Sequence, residues 1–265
     1  MTEIISADDP RIADYHLVAA PGELMARGLF VVEGRLVLPR LLEAPGLRAR
    51  SVLVTPAAAA SLGALLAAAP APVYIASREV MSRVAGFDIH RGCLALAERP
   101  APAPLDALPL QRLRRVLVLE GVSNPDNIGG IFRSAAAFDV DGVVLGPGCG
   151  DPLYRKAIRT SMGATLGVPF VDAGAWPGAL GRLRAAGLAL VALTPAGADP
   201  LPALQPGGRV ALVVGAEGPG LTPAALAEAD HRVRIPTSGR VDSLNVATAA
   251  AIALYALSAR EGRPG

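Results

Sequence analysis

Four continuous apolar runs in the second half of the chain, at 116–119, 143–145, 188–193 and 210–214, constrain the fold more than any other feature. A strand with one wet face alternates apolar and polar residues. These runs do not alternate, so both of their faces must be covered. Parallel strands in an α/β sheet meet that condition, because each crossover lays a helix on the sheet. The intervening segments supply candidates: helices are expected over 129–138, 154–162, 177–186, 223–228 and 243–259. A further short strand, 232–235, stops at Pro236. Ligands of such sheets bind outside the carboxyl ends of the strands. The segments just after Leu119, Val214 and Ile235 are therefore the places to look for a site.

The first half is built on a smaller scale. Short strands are expected over 30–34, 51–55, 73–76 and 93–97. Helical stretches are expected over 35–42, over the Ala-rich segment that Pro56 opens and that runs to 69, and over 78–84. Residues 1–20 read as helix or coil. The alternation implies a small α/β domain over 1–100. Arg99-Pro-Ala-Pro-Ala-Pro104 has the composition of a semi-rigid linker, which puts the boundary at 101–112 and a second domain over 113–265. Aromatics make up only 4% of the chain against 52% hydrophobic residues, so the core must be Ala, Val and Leu.

A formal charge of +2 is no polybasic signature. Lys156 is the only lysine; the other basic residues are arginines, which fits a compositional bias that also yields many Ala, Gly and Pro. Cys93 and Cys149 have no CxxC spacing, and His16, His90 and His231 are scattered. No metal site and no redox motif are expected, and a reduced, cytoplasmic setting is the default. The apolar stretch 246–257 falls short of the ~20 residues of a membrane span. The N-terminus lacks the pattern of a signal peptide.

Each of the three strand ends carries polar chemistry. After Leu119 comes Glu120-Gly-Val-Ser-Asn124-Pro-Asp-Asn127-Ile-Gly129-Gly-Ile-Phe-Arg133. Asn124 to Asn127 offer turn and cap residues, and Arg133 follows Asn127 by less than two helical turns. After Val214 comes Gly215-Ala-Glu217-Gly218-Pro-Gly220, a tight loop whose carboxylate would repel phosphate and suits a cation, a hydroxyl or an arginine such as Arg133. After Ile235-Pro236 a glycine-bearing loop leads to Asp242-Ser243-Leu244-Asn245-Val246 and the apolar run. Asp242 and Ser243 are good N-cap residues there. Taken singly, these are a surface turn, a Gly-rich loop and a capped helix.

Together, in this order, they resemble the SpoU (TrmH-type) family of RNA ribose 2′-O-methyltransferases, within the SPOUT superfamily. The family patterns N-x-G-x-x-x-R, G-x-E-G-x-G and I-P…S-L-N-V are all met, across about 113–260. Thr237 stands where the family often has Met, and Ala247 where Ser is common. The resemblance implies a parallel-sheet domain with a deep trefoil knot, preceded by a small α/β substrate-binding domain. It implies S-adenosyl-L-methionine as cofactor, RNA (ribosomal or transfer) as substrate, and a homodimer. By motif match, Asn127, Arg133, Glu217, Ser243 and Asn245 form the catalytic site, with Glu217 orienting Arg133 or the loop. Gly215, Gly218, Gly220, Ile235, Leu244 and Asn245 surround the cofactor. Arg112, Arg114, Arg115, Tyr154, Arg155, Lys156 and Arg159 are candidates for RNA contact, as are Arg35, Arg40, Arg48 and Arg50. Two rival functions remain: a catalytically silent RNA-binding protein retaining the fold, and a nucleotide-dependent enzyme using 215–220 as a phosphate loop.

Overall fold

The computed structural model describes residues 1–205 and 207–258. They fall into two units: Met1–Ala101 with Leu153–Gly167, and Pro102–Pro152 with Val168 onward. Among the described residues, no helix is long and apolar enough to cross a membrane, and no group of three metal-ligating side chains assembles.

The first unit contains β1 (Thr2–Ile4), α1 (Pro21–Ala26), β2 (Leu29–Glu33), α2 (Leu38–Glu43), β3 (Arg48–Val54), α3 (Pro56–Ser61), α4 (Gly63–Ala67), β4 (Val73–Ala76), α5 (Arg78–Ala85) and β5 (Cys93–Glu98). The sheet order is β1-β4-β3-β5-β2, with β5 antiparallel to both neighbours and the other pairs parallel. Two local expectations are corrected. The first residues form a strand, β1, before a 3-10 helix at Pro10–Ala19 whose N-cap is Asp9. Three residues are too few to show alternation, and only Ile4 among them is buried. The helix expected from Pro56 to 69 breaks in two around Leu62, where Ser61 Oγ bonds back to the Ala58 carbonyl at 3.0 Å and Gly63 follows. Burial pushes the Cys93 thiol up to about 12, which leaves it unreactive.

The second unit runs β6 (Arg115–Glu120), α6 (Pro125–Ala137) and β7 (Gly142–Leu145). The chain then gives α7 (Arg155–Thr160) to the first unit. It continues through β8 (Phe170–Asp172), α8 (Gly178–Ala185), β9 (Ala189–Leu193), β10 (Asp199–Pro200), β11 (Val210–Gly215), α9 (Pro223–Glu228), β12 (His231–Arg234) and α10 (Val246–Ser258). Residue 259, the expected end of the last helix, lies outside the described residues. All seven strands are parallel, in the order β10-β12-β9-β11-β6-β7-β8. The strands β8 and β10 were not anticipated. Both are short and both are edges, where little burial is available to write a pattern; Pro200 is tolerated at such an edge.

One face of the sheet, with Val116, Val118, Ala211 and Val213, packs on Leu180 and Leu183 of α8 and Ala225 of α9. The alternate residues Leu117, Leu119, Leu212 and Val214 are also buried and point to the other face. There α10 packs against α6 and β11. The two helices approach closely, since a Cβ on Gly130 would sit 2.9 Å from that of Ala247. An Ala-rich helix is what such an approach requires. The proline-rich connection is no free linker: Leu105, Leu108 and Leu113 enter the core, and Asp172 N–H donates to the Ala103 carbonyl at 2.8 Å.

In the first unit, α7 lies against β2. Arg155 donates to the buried carboxylate of Glu33 at 2.9 Å and stacks its guanidinium 4.2 Å from the Phe87 ring centre. Arg155 is thus half-buried and committed to structure, contrary to its place among the RNA-contact candidates. Arg115 leaves that set too. It is 5% exposed, and its guanidinium bonds the Phe138 carbonyl.

Candidate active site

The site forms where the carboxyl ends of β9, β11 and β12 lie side by side. A cavity of about 450 Å³ opens there. Leu193, Thr194 and Pro195 form one wall, directly after β9. The loop after β11 supplies Gly215, Ala216, Glu217, Gly218 and Gly220, and Ile235, Pro236 and Thr237 follow β12. Asp242, Ser243 and Leu244 close it, with Val246 and Ala249 from the start of α10.

The Gly215–Leu221 loop folds onto itself. Gly220 N–H donates to the Ala216 carbonyl at 3.0 Å. A Cβ on Gly215 would lie 2.3 Å from the Gly220 carbonyl carbon and 2.4 Å from the Leu221 nitrogen, so no side chain fits. Arg234 also lines the cavity, but its guanidinium bonds the carbonyls of Gly197 (2.7 Å) and Ala198 and so holds the wall after β9.

Beside the cavity runs a chain of side-chain amides. Asn245 caps α10: its Oδ1 accepts from Ala247 N–H (3.0 Å) and Thr248 N–H (3.3 Å). Its Nδ2 donates to Asn127 Oδ1 at 2.8 Å, and Asn127 Nδ2 donates to Glu217 Oε2 at 3.1 Å. The orientations are forced. Helix N–H groups only donate and a carboxylate only accepts, so each amide has one way to face. Asn127 is placed by the first turn of α6, which Asn124 caps through Asp126 N–H at 2.8 Å and Pro125 begins.

The structure thus brings Asn127, Glu217 and Asn245 into one hydrogen-bonded group, although they are far apart in sequence. Of the residues expected around a cofactor, Gly215, Gly218, Gly220, Ile235 and Leu244 line the cavity. Asn245 instead joins the amide chain next to it. Glu217 and Ser243 line the cavity, whereas Arg133 does not. Arg133 projects, exposed, from α6 and has no hydrogen bond or ion pair among the described residues. It was expected as a partner for Glu217, and Asn127 takes that place. The cap also differs from expectation. Neither Asp242 nor Ser243 begins the helix; α10 starts at Val246, behind Asn245. Sequence reasoning passed over Thr194 and Pro195, although the apolar run ending at Leu193 announced a fourth strand end.

Among known proteins, the model of the SpoU rRNA Methylase family matches residues 114–255. An uncharacterized tRNA/rRNA methyltransferase of Mycobacterium tuberculosis is 47% identical, over 96% of this chain and 90% of its own. The 23S rRNA (guanosine(2553)-2′-O)-methyltransferase RlmP of Bacillus subtilis is 28% identical, over 97% of this chain and 99% of its own. Among solved structures, an AdoMet-bound rRNA methyltransferase from Sinorhizobium meliloti superposes with a TM-score of 0.83 at 26% identity, covering 99% of both chains.

Proposed function

The chain belongs to the SpoU rRNA methylase family, and we propose on that premise that it methylates a ribose 2′-hydroxyl of ribosomal or transfer RNA, using S-adenosyl-L-methionine. The observation that carries this reading is the cavity at the strand ends. Its volume suits a nucleoside-sized ligand. Its chemistry suits a cation with an apolar body: its lining includes the acids Glu217 and Asp242 and the apolar Leu193, Val214, Ile235 and Leu244, and Arg234 is occupied by carbonyls. A polyphosphate would meet those carboxylates and no lysine.

Bound S-adenosyl-L-methionine supplies an electrophilic methyl group on a sulfonium. The protein must hold the ribose oxygen in line with it and accept the loss of a proton. Arg133 holds an RNA phosphate and stabilises the charge developing on the 2′-oxygen; a guanidinium stays charged in proteins and is no base. The phosphate so held relays the 2′-hydroxyl proton to solvent as the C–O bond to the methyl group forms and its bond to the sulfonium breaks. Ser243 positions the ribose. Asn127 and Asn245 fix Glu217, and Glu217 fixes the mouth of the loop. The trefoil knot is what family membership implies for the segment 235–245 and α10. The cytoplasm is the proposed compartment.

Ligand titration of the purified protein tests the cofactor. At a hundred times its dissociation constant, S-adenosyl-L-methionine stabilises by about 2.7 kcal/mol, which raises the unfolding midpoint by roughly 5–10 °C for a chain of this size. ATP at the same concentration is expected to move it little. The reverse pattern would hand the loop to the nucleotide reading.

The homodimer belongs to this proposal as well. Ile252 and Tyr255 of α10 are 39% and 62% exposed, large apolar side chains on the side of the helix away from its buried Ala250, Ala253, Leu254 and Leu257. The expected mass in solution is twice the 27.0 kDa chain, and Tyr255→Arg should lower it to that of one chain. A monomeric wild type would refute the dimer.

A further inference from the structure

We propose that Glu120 is a positioning residue for the Gly215–Leu221 loop, strapping its two ends together from behind the cavity. The proposal rests on the cofactor reading of that loop. Glu120 ends β6, directly opposite Gly215 in the register of the β6–β11 pair, so its backbone meets the entry of the loop. Its side chain takes the exit. Thr222, the residue after Leu221, donates its N–H to Glu120 Oε2 at 2.9 Å and its hydroxyl to Oε1 at 2.7 Å. Trp176 Nε1–H donates to the same Oε1 at 2.6 Å.

Glu120 is 4% exposed and pairs with no cation among the described residues. A buried carboxylate is costly, and here three donors converge on its two oxygens. An apolar side chain could fill the same space without that cost, so packing alone does not explain an acid at this position. The arrangement has a mechanical consequence. Thr222 also caps α9, its hydroxyl oxygen accepting from Ala225 N–H at 3.2 Å. The carboxylate therefore fixes the start of α9 and the end of the loop to the strand beside the one on which the loop begins. The path of Gly215 to Gly220 along the cavity then has little freedom.

Only a carboxylate accepts from all three donors. In Glu120→Gln the shape is kept, but the amide nitrogen must face a donor. Trp176→Phe removes one donor from the same carboxylate without touching the loop, and Thr222→Val removes a donor that belongs to it. The measurement is the dissociation constant of S-adenosyl-L-methionine by calorimetry on the full chain, with unfolding midpoints alongside. Glu120→Gln is expected to weaken binding about tenfold or more, Thr222→Val by a smaller factor in the same direction, and Trp176→Phe by less than about threefold. Wild-type affinity in Glu120→Gln, or an equal loss in Trp176→Phe, would overturn the proposal. Should Glu120→Gln fail to fold, Thr222→Val decides alone: affinity equal to wild type refutes the strap. A wild type that binds no S-adenosyl-L-methionine would instead remove the cofactor reading itself, and the strap with it.

Discussion

Gly215→Ala is expected to weaken binding of S-adenosyl-L-methionine by up to roughly a hundredfold. The added Cβ would fall 2.3 Å from one backbone atom and 2.4 Å from another. Neither is the far end of a flexible side chain, so the loop must move as a whole. Overpacking of this kind costs about 1–3 kcal/mol where it can relax. Because the clashing atoms belong to Gly220 and Leu221, the shift falls on the loop that lines the cavity. Charged wholly to binding, about 3 kcal/mol is roughly a hundredfold in the dissociation constant. Calorimetry on the variant checks this, with circular dichroism to confirm the fold. Near-normal affinity would mean that the ligand does not touch this loop.

Asn127→Ala should lower methyl transfer by roughly a hundredfold, the scale on which small misplacements are felt in an oriented reaction. The residue is 7% exposed, and its removal strands two groups at once: the Nδ2 of Asn245 and a carboxylate oxygen of Glu217. A second variant separates this effect from simple instability. Asn245→Ser keeps a hydroxyl able to cap α10 but cannot reach Asn127. Its unfolding midpoint should stay near wild type while transfer falls as it does in Asn127→Ala. The double variant should be little worse than either single one, because each already breaks the same chain. Full additivity would show that the amides act separately.

The long interior strands were legible because burial on both faces leaves an unbroken apolar run. The three polar segments at the strand ends were legible as a site only together, through the family patterns that they match in order. Other features left no such trace. The strands β1, β8 and β10 are two or three residues long, below the length at which any period can be read. The start of α10 was placed too early, at Asp242 or Ser243, because both are competent caps; the cap is Asn245, which also contacts Asn127. Arg115 and Arg155 looked like RNA contacts because a sequence shows charge but not the Phe138 carbonyl or the Glu33 carboxylate that holds it. Glu120 was visible only as an acid at a strand end; its role carried no signal, since its partners Trp176 and Thr222 stand 56 and 102 residues away. The connection was read as a linker from its prolines, whereas Leu105 and Leu108 between Pro104 and Pro109, and Leu113 beyond them, enter the core.

Transfer of labelled methyl from S-adenosyl-L-methionine to RNA made in cells lacking this enzyme decides whether the chain is a ribose methyltransferase. Ribosomal and transfer RNA would be separated, digested and assayed for 2′-O-methyl nucleosides, with Arg133→Ala as control. The predicted result is label in one RNA class, as a 2′-O-methyl nucleoside, falling about a hundredfold or more in the control, as removal of one charge-stabilising group does elsewhere. Tight RNA binding with no methyl transferred to either class, or transfer undiminished by Arg133→Ala, would contradict it; the first of these outcomes is that of a silent RNA-binding protein that has kept the fold.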